Sequence, residues 1–239
     1  RDGGSVSVLS SKTKELIGEF EVPGQPIDLL ISGKQILVLD RQYSKLRVFS
    51  ETGEQLAEHD LSFPPARFTS SADGEQIFVA STFGRALQSF ARFGEKWFPC
   101  SSYNLPFSPL EMKWLDGQLL VAGAFEAELA FLDCSQIEKR LEVIKTARLR
   151  GHNIRGIELI GEEIYLTLQE LNPLAHSSRD DVHWGNLLAN KLVHFPTAAL
   201  FERTIGGEAS PLSSDAAPRD LNAYRTDFEL GEPGNGSGE

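Results

Sequence analysis

Residues 171–192 read LNPLAHSSRDDVHWGNLLANKL and bring two histidines, a tandem aspartate pair, a tryptophan and three asparagines into 22 residues. Three roles are open to them. As a metal site, His176, Asp180 and His183 supply the imidazole and carboxylate donors that suit zinc, iron or manganese, with His152 and His194 expected to reach the same face. As a plain loop, the aspartates cap turns and the asparagines satisfy local backbone, which is why these residue types are common in loops. As a contact surface, the same side chains meet a partner. No HxxxH or HExxH spacing fixes a ligand geometry, so the residues favour the loop over the metal. A Ser–His–Asp set can be drawn from Ser177 or Ser178, His183 and Asp180, but no nucleophile elbow accompanies it. On an extended chain Asp180 and Asp181 point to opposite sides and cannot share one substrate atom. No catalytic residue is assigned.

The elements around this stretch are short strands in a repeat. A Pro-led segment recurs as QPIDLLISGKQILVLDRQYSKLRVFS (25–50), PPARFTSSADGEQIFVASTFGRALQSFARF (64–93) and SPLEMKWLDGQLLVAGAFEAELAFLD (108–133), then as HNIRGIELIGEEIYLTLQELN (152–172). Aligned on Pro26, Pro65, Pro109 and Ile154, the offsets are 39, 44 and 45 residues. Each copy has a strand, a turn carrying Gly33, Gly74, Gly117 or Gly161, a more apolar strand, a polar break and a third strand. Ile27, Leu29 and Ile31 alternate at period 2, and IFVA and LLVA read as strands buried on both faces. Units of this kind at a spacing of ~40–45 residues predict an all-β chain, a β-propeller of four-stranded antiparallel blades. One weak helix candidate, near Ser135–Lys145, reads equally well as a strand.

The repeat divides residues 1–205 into a half-blade (1–24) and blades at about 25–62, 63–106, 107–150 and 151–205. Residues 206–239 are polar and rich in Gly, Pro and Ser, and read as a loop or linker toward a missing blade. Four blades and a half make an incomplete ring, so the natural protein is expected to continue. Within the fourth copy, 170–191 is a long insertion between two strands, of a length that is usually functional or disordered. Trp184 and the leucines at 171, 174, 187 and 188 argue against disorder. Arg155, beside Asn153 on an inner strand, either holds an anion or pairs with an acid of the next blade, and pairing is the expectation.

A net charge of −11 and the absence of clustered Lys and Arg exclude nucleic acid as a partner. The longest apolar run, Leu119–Phe125, is about seven residues against the ~20 of a transmembrane helix. Cys100 and Cys134 either pair or stay as thiols, and neither stands in a CxxC or CxxCH context.

RGHNIRGIEL, followed by LTLQELNPLAHSSRDDVHWGNLLANKLVHF, resembles the fourth-blade region of YVTN-type, WD40-like β-propeller repeat proteins of bacteria, of the planctomycete type. The resemblance covers about 45 residues closely, and the other copies match only as generic repeats. It implies an exported protein, periplasmic or on the cell surface. It also implies a frequent association with c-type cytochrome or di-haem peroxidase-like modules, whose haem would lie outside this chain. The reading is thus a non-catalytic binding or scaffolding domain without a cofactor of its own. Its partner is a protein or an attached cytochrome-like module. The contact residues are expected among His152, Asn153, Arg155, Asn172, His176, Asp180, Asp181, His183, Trp184 and Asn186. An electron-transfer protein and a metal-dependent propeller hydrolase or lyase are the alternatives.

Overall fold

The computed structural model describes residues 4–115, 117–134, 141–176, 178–183, 187–201 and 218–230. The chain forms two compact units, Arg1–Pro109 with Cys134–Leu141, and Leu110–Asp133 with Glu142–Glu239.

The first unit opens with an antiparallel pair, β1 (Gly4–Leu9) and β2 (Leu16–Val22). A four-stranded antiparallel sheet follows in chain order, formed by β3 (Pro26–Ser32), β4 (Gln35–Asp40), β5 (Lys45–Ser50) and β6 (Gln55–Asp60). A second sheet of the same order comprises β7 (Arg67–Ser70), β8 (Gln76–Ser81), β9 (Ala86–Phe93) and β10 (Lys96–Asn104). The period of 2 explains why β4 is buried along its whole length. Leu37 and Leu39 enter one core with Ile77, Val79, Phe90 and Trp97, while Ile36 and Val38 enter another with Val22 and Phe49. Truncating Leu37, which has no exposed surface, to Ala costs about 2–5 kcal/mol. Hydrogen bonds lock the two sheets together: Trp97 Nε1 donates to Gln35 Oε1 at 2.9 Å, and Phe68 N to Asp28 Oδ2 at 3.1 Å.

The second unit holds β11 (Pro109–Leu115), β12 (Gln118–Gly123), β13 (Glu126–Asp133), β14 (Glu142–Ile160), β15 (Glu163–Leu171) and α1 (Arg179–His183). It continues with β16 (Leu188–Pro196), α2 (Ala198–Phe201), β17 (Arg219–Asp220) and β18 (Thr226–Glu229). Its strands join in one sheet in the order β11-β12-β13-β14-β15-β16-β18, and β17 adds in parallel to β14.

The first strands of three copies, β3, β7 and β11, start at or within two residues of Pro26, Pro65 and Pro109. Gly33, Gly74, Gly117 and Gly161 all adopt positive φ, from 59° to 83°, as tight turns between strands require. Residues 77–80 and 119–122 have no exposed surface.

Three expectations change. Leu29 and Ile31 are exposed while Ile27 and Leu30 pack inward, because a register shift between Pro26 and Asp28 breaks the alternation. The fourth copy has no separate first strand, since its first strand is the second half of the 19-residue β14. Residues 206–239, read as linker, contribute β17 and β18. The weak helix candidate ends within β14 at Glu142–Lys145, and its residues 135–140 lie outside the described residues. Both cysteines are free thiols, Cys100 exposed and Cys134 buried. Among the described residues no helix is long and apolar enough to cross a membrane.

Candidate functional site

One residue of β14 changes partners. His152 pairs with Glu126 of β13 on one side and with Gln169 of β15 on the other, and the ladder to β15 resumes only at Gly156–Thr167. Gly151, at φ 124°, and Asn153, at φ 55°, bracket this corner and let a single strand leave one neighbour for the next. A Cβ on Gly151 would lie 2.9 Å from the carbonyl oxygen of Gln169, so the close approach itself needs glycine. Beside His152, Oε2 of Glu126 is buried without a partner among the described residues.

Two pockets flank the strand ends at this corner. The first, of about 590 Å³, is lined by Arg150, His152, Glu170, Asn172, Pro173 and Lys191 among others. Its centre is Glu170, whose side chain is 8% exposed. Arg150 donates to it through Nε and Nη2, both at 3.2 Å, Lys191 Nζ lies 3.2 Å away, and Arg225 Nη2 completes the set. Burial opposes the charge on Glu170, but the hydrogen bonds from Arg150, Arg225 and Lys191 outweigh it and hold the carboxyl below its ordinary value. Asp227 accepts from Lys191 at 3.2 Å and from Arg225 at 2.6 Å, so three cations are shared between two carboxylates. Arg225 Nη1 also donates to the Arg150 carbonyl at 2.8 Å, which pins the turn before β18 onto β14.

The second pocket, of about 570 Å³, has Asn153, Arg155, Thr167, Gln169, Asn190 and Lys191 in its wall. A ladder of amides crosses it: Asn153 Nδ2 donates to Gln169 Oε1 at 2.8 Å, and Gln169 Nε2 to Asn190 Oδ1 at 2.9 Å. Period 2 puts Gln169 and Glu170 on opposite faces of β15, which is why amides gather in one pocket and charges in the other. Arg155 is exposed and makes no ion pair among the described residues. Of the acids nearby, Glu170 and Asp227 are engaged by other cations.

The long connection after β15 is built partly by Asn172. Its backbone N donates to Leu187 O at 2.9 Å and its Oδ1 accepts from Leu174 N at 3.0 Å, an Asx turn. Leu171 and Leu174 stand 73% and 83% exposed on it. Asp180, Asp181 and His183 belong to the short helix α1, so this stretch is helical and not the extended chain expected. His176, Asp180 and His183 are exposed. They do not form the expected metal set: among the described residues no group of three or more His, Cys, Asp and Glu is placed to hold a metal ion. His194 is not at this end at all. It pairs with Tyr165, six residues and roughly 20 Å along β15 from Leu171. There it is stacked on Tyr165 and Phe228 with Nδ1 3.0 Å from Glu163. Trp184, Asn186 and Ser177 lie outside the described residues.

The structure therefore brings together His152, Asn153, Arg155 and Asn172. To them it adds Arg150, Gln169, Glu170, Asn190, Lys191, Arg225 and Asp227, none of which the sequence singled out. Gln169, Glu170, Asn190 and Lys191 stand inside the quoted LTLQELN and LLANKL segments. Only the β15–β16 register, which pairs Gln169 with Asn190, places them side by side.

No protein-family model matches the sequence, and no curated protein matches it. Among solved structures the chain is similar to the hydrazine synthase of Kuenenia stuttgartiensis, with 18% identity, a TM-score of 0.65, and coverage of 81% of this chain and 57% of that one. It is similar to a 6-phosphogluconolactonase-like protein of Bacteroides fragilis at 11% identity and a TM-score of 0.61, covering 80% of this chain and 60% of that one. A protein from Lactobacillus plantarum gives 12% identity and a TM-score of 0.60, covering 95% and 69%. These are β-propeller-type folds, and the nearly all-β antiparallel architecture of this chain is of that type. The chain spans less than two thirds of the length of the first two. Identities this low establish the fold and carry no activity across, since one fold hosts many functions.

Proposed function

We propose that the chain is a non-catalytic binding or scaffolding domain of an exported bacterial protein, most of a β-propeller with four blades and a half-blade. It recognises a protein partner, or an attached cytochrome-like module, through the strand ends at His152–Arg155 and the 170–191 connection. One observation carries the reading: an arginine with no ion pair among the described residues, a ladder of amides and a hub of five charged side chains converge where the middle of β14 meets the end of β15 and the start of β16. Exposed Leu171 and Leu174 add the apolar contacts that a recognition surface needs at its centre. Rigid strands presenting such a connection are the usual way a scaffold carries recognition. The export and the cytochrome association rest on the YVTN-type resemblance.

Site-specific photo-crosslinking in the source cell tests this. A crosslinker at Leu174 should yield a discrete adduct, and one at exposed Lys12, in the β1–β2 turn, should not. Equal labelling at both positions, or none at Leu174, overturns the reading.

A second reading, the propeller part of a c-type cytochrome or di-haem peroxidase-like protein, has the same resemblance on its side. Neither cysteine stands in a CxxCH, so the residues of this chain do not fit covalent haem.

A further inference from the structure

We infer that the pocket at Asn153, Arg155, Gln169 and Asn190 binds an acidic sugar, a carboxylate carried on a hydroxylated ring. The inference rests on the proposed recognition surface and names the ligand chemistry of its amide side.

The chain carries −11 overall, yet no acidic side chain lines this pocket among the described residues, while Arg155 and Lys191 both do. Lys191 is held by Glu170 and Asp227, which leaves Arg155 as the cation available to a ligand. Its planar fork is made for a carboxylate, which it meets with two parallel hydrogen bonds.

Hydrogen-bonding groups are dense along the wall. In the ladder each amide uses one N–H at most, and Asn190 donates to neither neighbour. Asn153, Gln169 and Asn190 line the pocket from three adjacent strands, ~4.8 Å apart, and each keeps an N–H that the ladder does not use. Thr167 adds a hydroxyl. A row of amide donors and acceptors at this spacing matches ring hydroxyls, which donate and accept in turn.

A phosphate is smaller than a pocket of about 570 Å³, and neither a helix N-terminus nor a glycine-rich loop lines the wall. An acidic peptide gains most of its affinity from buried apolar anchors, and among the described residues Leu168 and Leu230 are the only large apolar side chains here.

Titration of the purified chain, followed by amide NMR shifts, tests the inference with four probes: glucuronate, glucose, N-acetylglutamate amide and inorganic phosphate. Glucuronate should shift residues 153–155, 167–169 and 190, and should bind about tenfold or more tightly than each of the other three. Arg155→Ala should reduce its affinity to that of glucose, Arg155→Lys should lose less, and the thermal midpoint should stay unchanged because Arg155 is exposed. Glucuronate binding no better than glucose, or unaffected by Arg155→Ala, overturns the inference. Equal binding of N-acetylglutamate amide or phosphate overturns it in favour of a general anion site. Should titration fail while the Leu174 adduct still forms, the ligand class falls and the recognition surface stands.

Discussion

Arg225 and Glu170 meet across 55 residues of sequence, and only 5% and 8% of their side chains are exposed. The contact fastens the turn before β18 to the end of β15. β18 is an edge strand of four residues, too short to hold itself by its ladder to β16 alone. Charge therefore does for this edge what apolar burial does for β4.

Glu170→Gln leaves Arg150, Lys191 and Arg225 with only Asp227 between them. Removing one member of a buried pair costs several kcal/mol, and the 70% exposure of Arg150 reduces that here, so the expected loss is about 2 kcal/mol. Urea unfolding measures the loss. Hydrogen exchange should show the Asp227 and Phe228 amides losing protection before those of β12.

The same carboxyl sets an acid limit. Its folded value lies below its ordinary one, so the stability it contributes is complete above the unfolded value of about 4.3 and is lost as pH falls through the lower folded value. Protection of β18, corrected for intrinsic exchange, should stay level from neutral pH down to about 5 and fall below about 4. Glu170→Gln should shrink that step to the part set by Asp227, where burial opposes the charge but Arg225 and Lys191 also hold the carboxyl below its ordinary value. An unchanged acid step in the variant would assign it elsewhere.

His59 behaves oppositely. Burial lowers its value, against the raising effect of Asp60, and its Nε2 has no partner among the described residues. A neutral histidine favoured by the fold costs stability as pH falls below the unfolded value of about 6.5. His59→Phe keeps the ring contact with Phe90, now at 5.7 Å, and removes the orphaned nitrogen. It should raise stability by about 1 kcal/mol at neutral pH and by more at pH about 5, read by thermal unfolding at both. A gain independent of pH would contradict the titration argument.

At the corner of β14, Gly151→Ala should destabilise the second unit by about 1–3 kcal/mol, since φ is 124° and the new Cβ meets a backbone oxygen that cannot give way. Loss of the Asn153–Gln169 side-chain amide coupling in NMR would show that the corner also positions the ladder. An unchanged midpoint would mean that the backbone relaxes there.

Much of the fold was legible because its signals are local. The glycine turns at 33, 74, 117 and 161 need positive φ, and the runs at 77–80 and 119–122 need burial on both faces. The fusion of two strands into β14 was not legible, because Gly151 reads as a turn and its close approach to Gln169 is visible only in three dimensions. β17 and β18 were missed because RD and TDFE carry no apolar alternation, and the contacts that hold them, Leu221 in the core, Phe228 on His194 and Arg225 on Glu170, are made far along the chain. In the site, His152, Asn153 and Arg155 were found through their motif. Gln169, Glu170, Asn190 and Lys191 were not, because register across a long connection is set by pairing and not by spacing. His194 was drawn toward the loop by residue type alone, and the ladder carries it to the other end of the strand.

The most direct measurement is hydrogen–deuterium exchange on the protein saturated with the partner recovered through Leu174. The account predicts slowed exchange confined to residues 150–155, 169–176 and 189–191. Slowing centred on β3–β6 instead, with these segments unchanged, would contradict it.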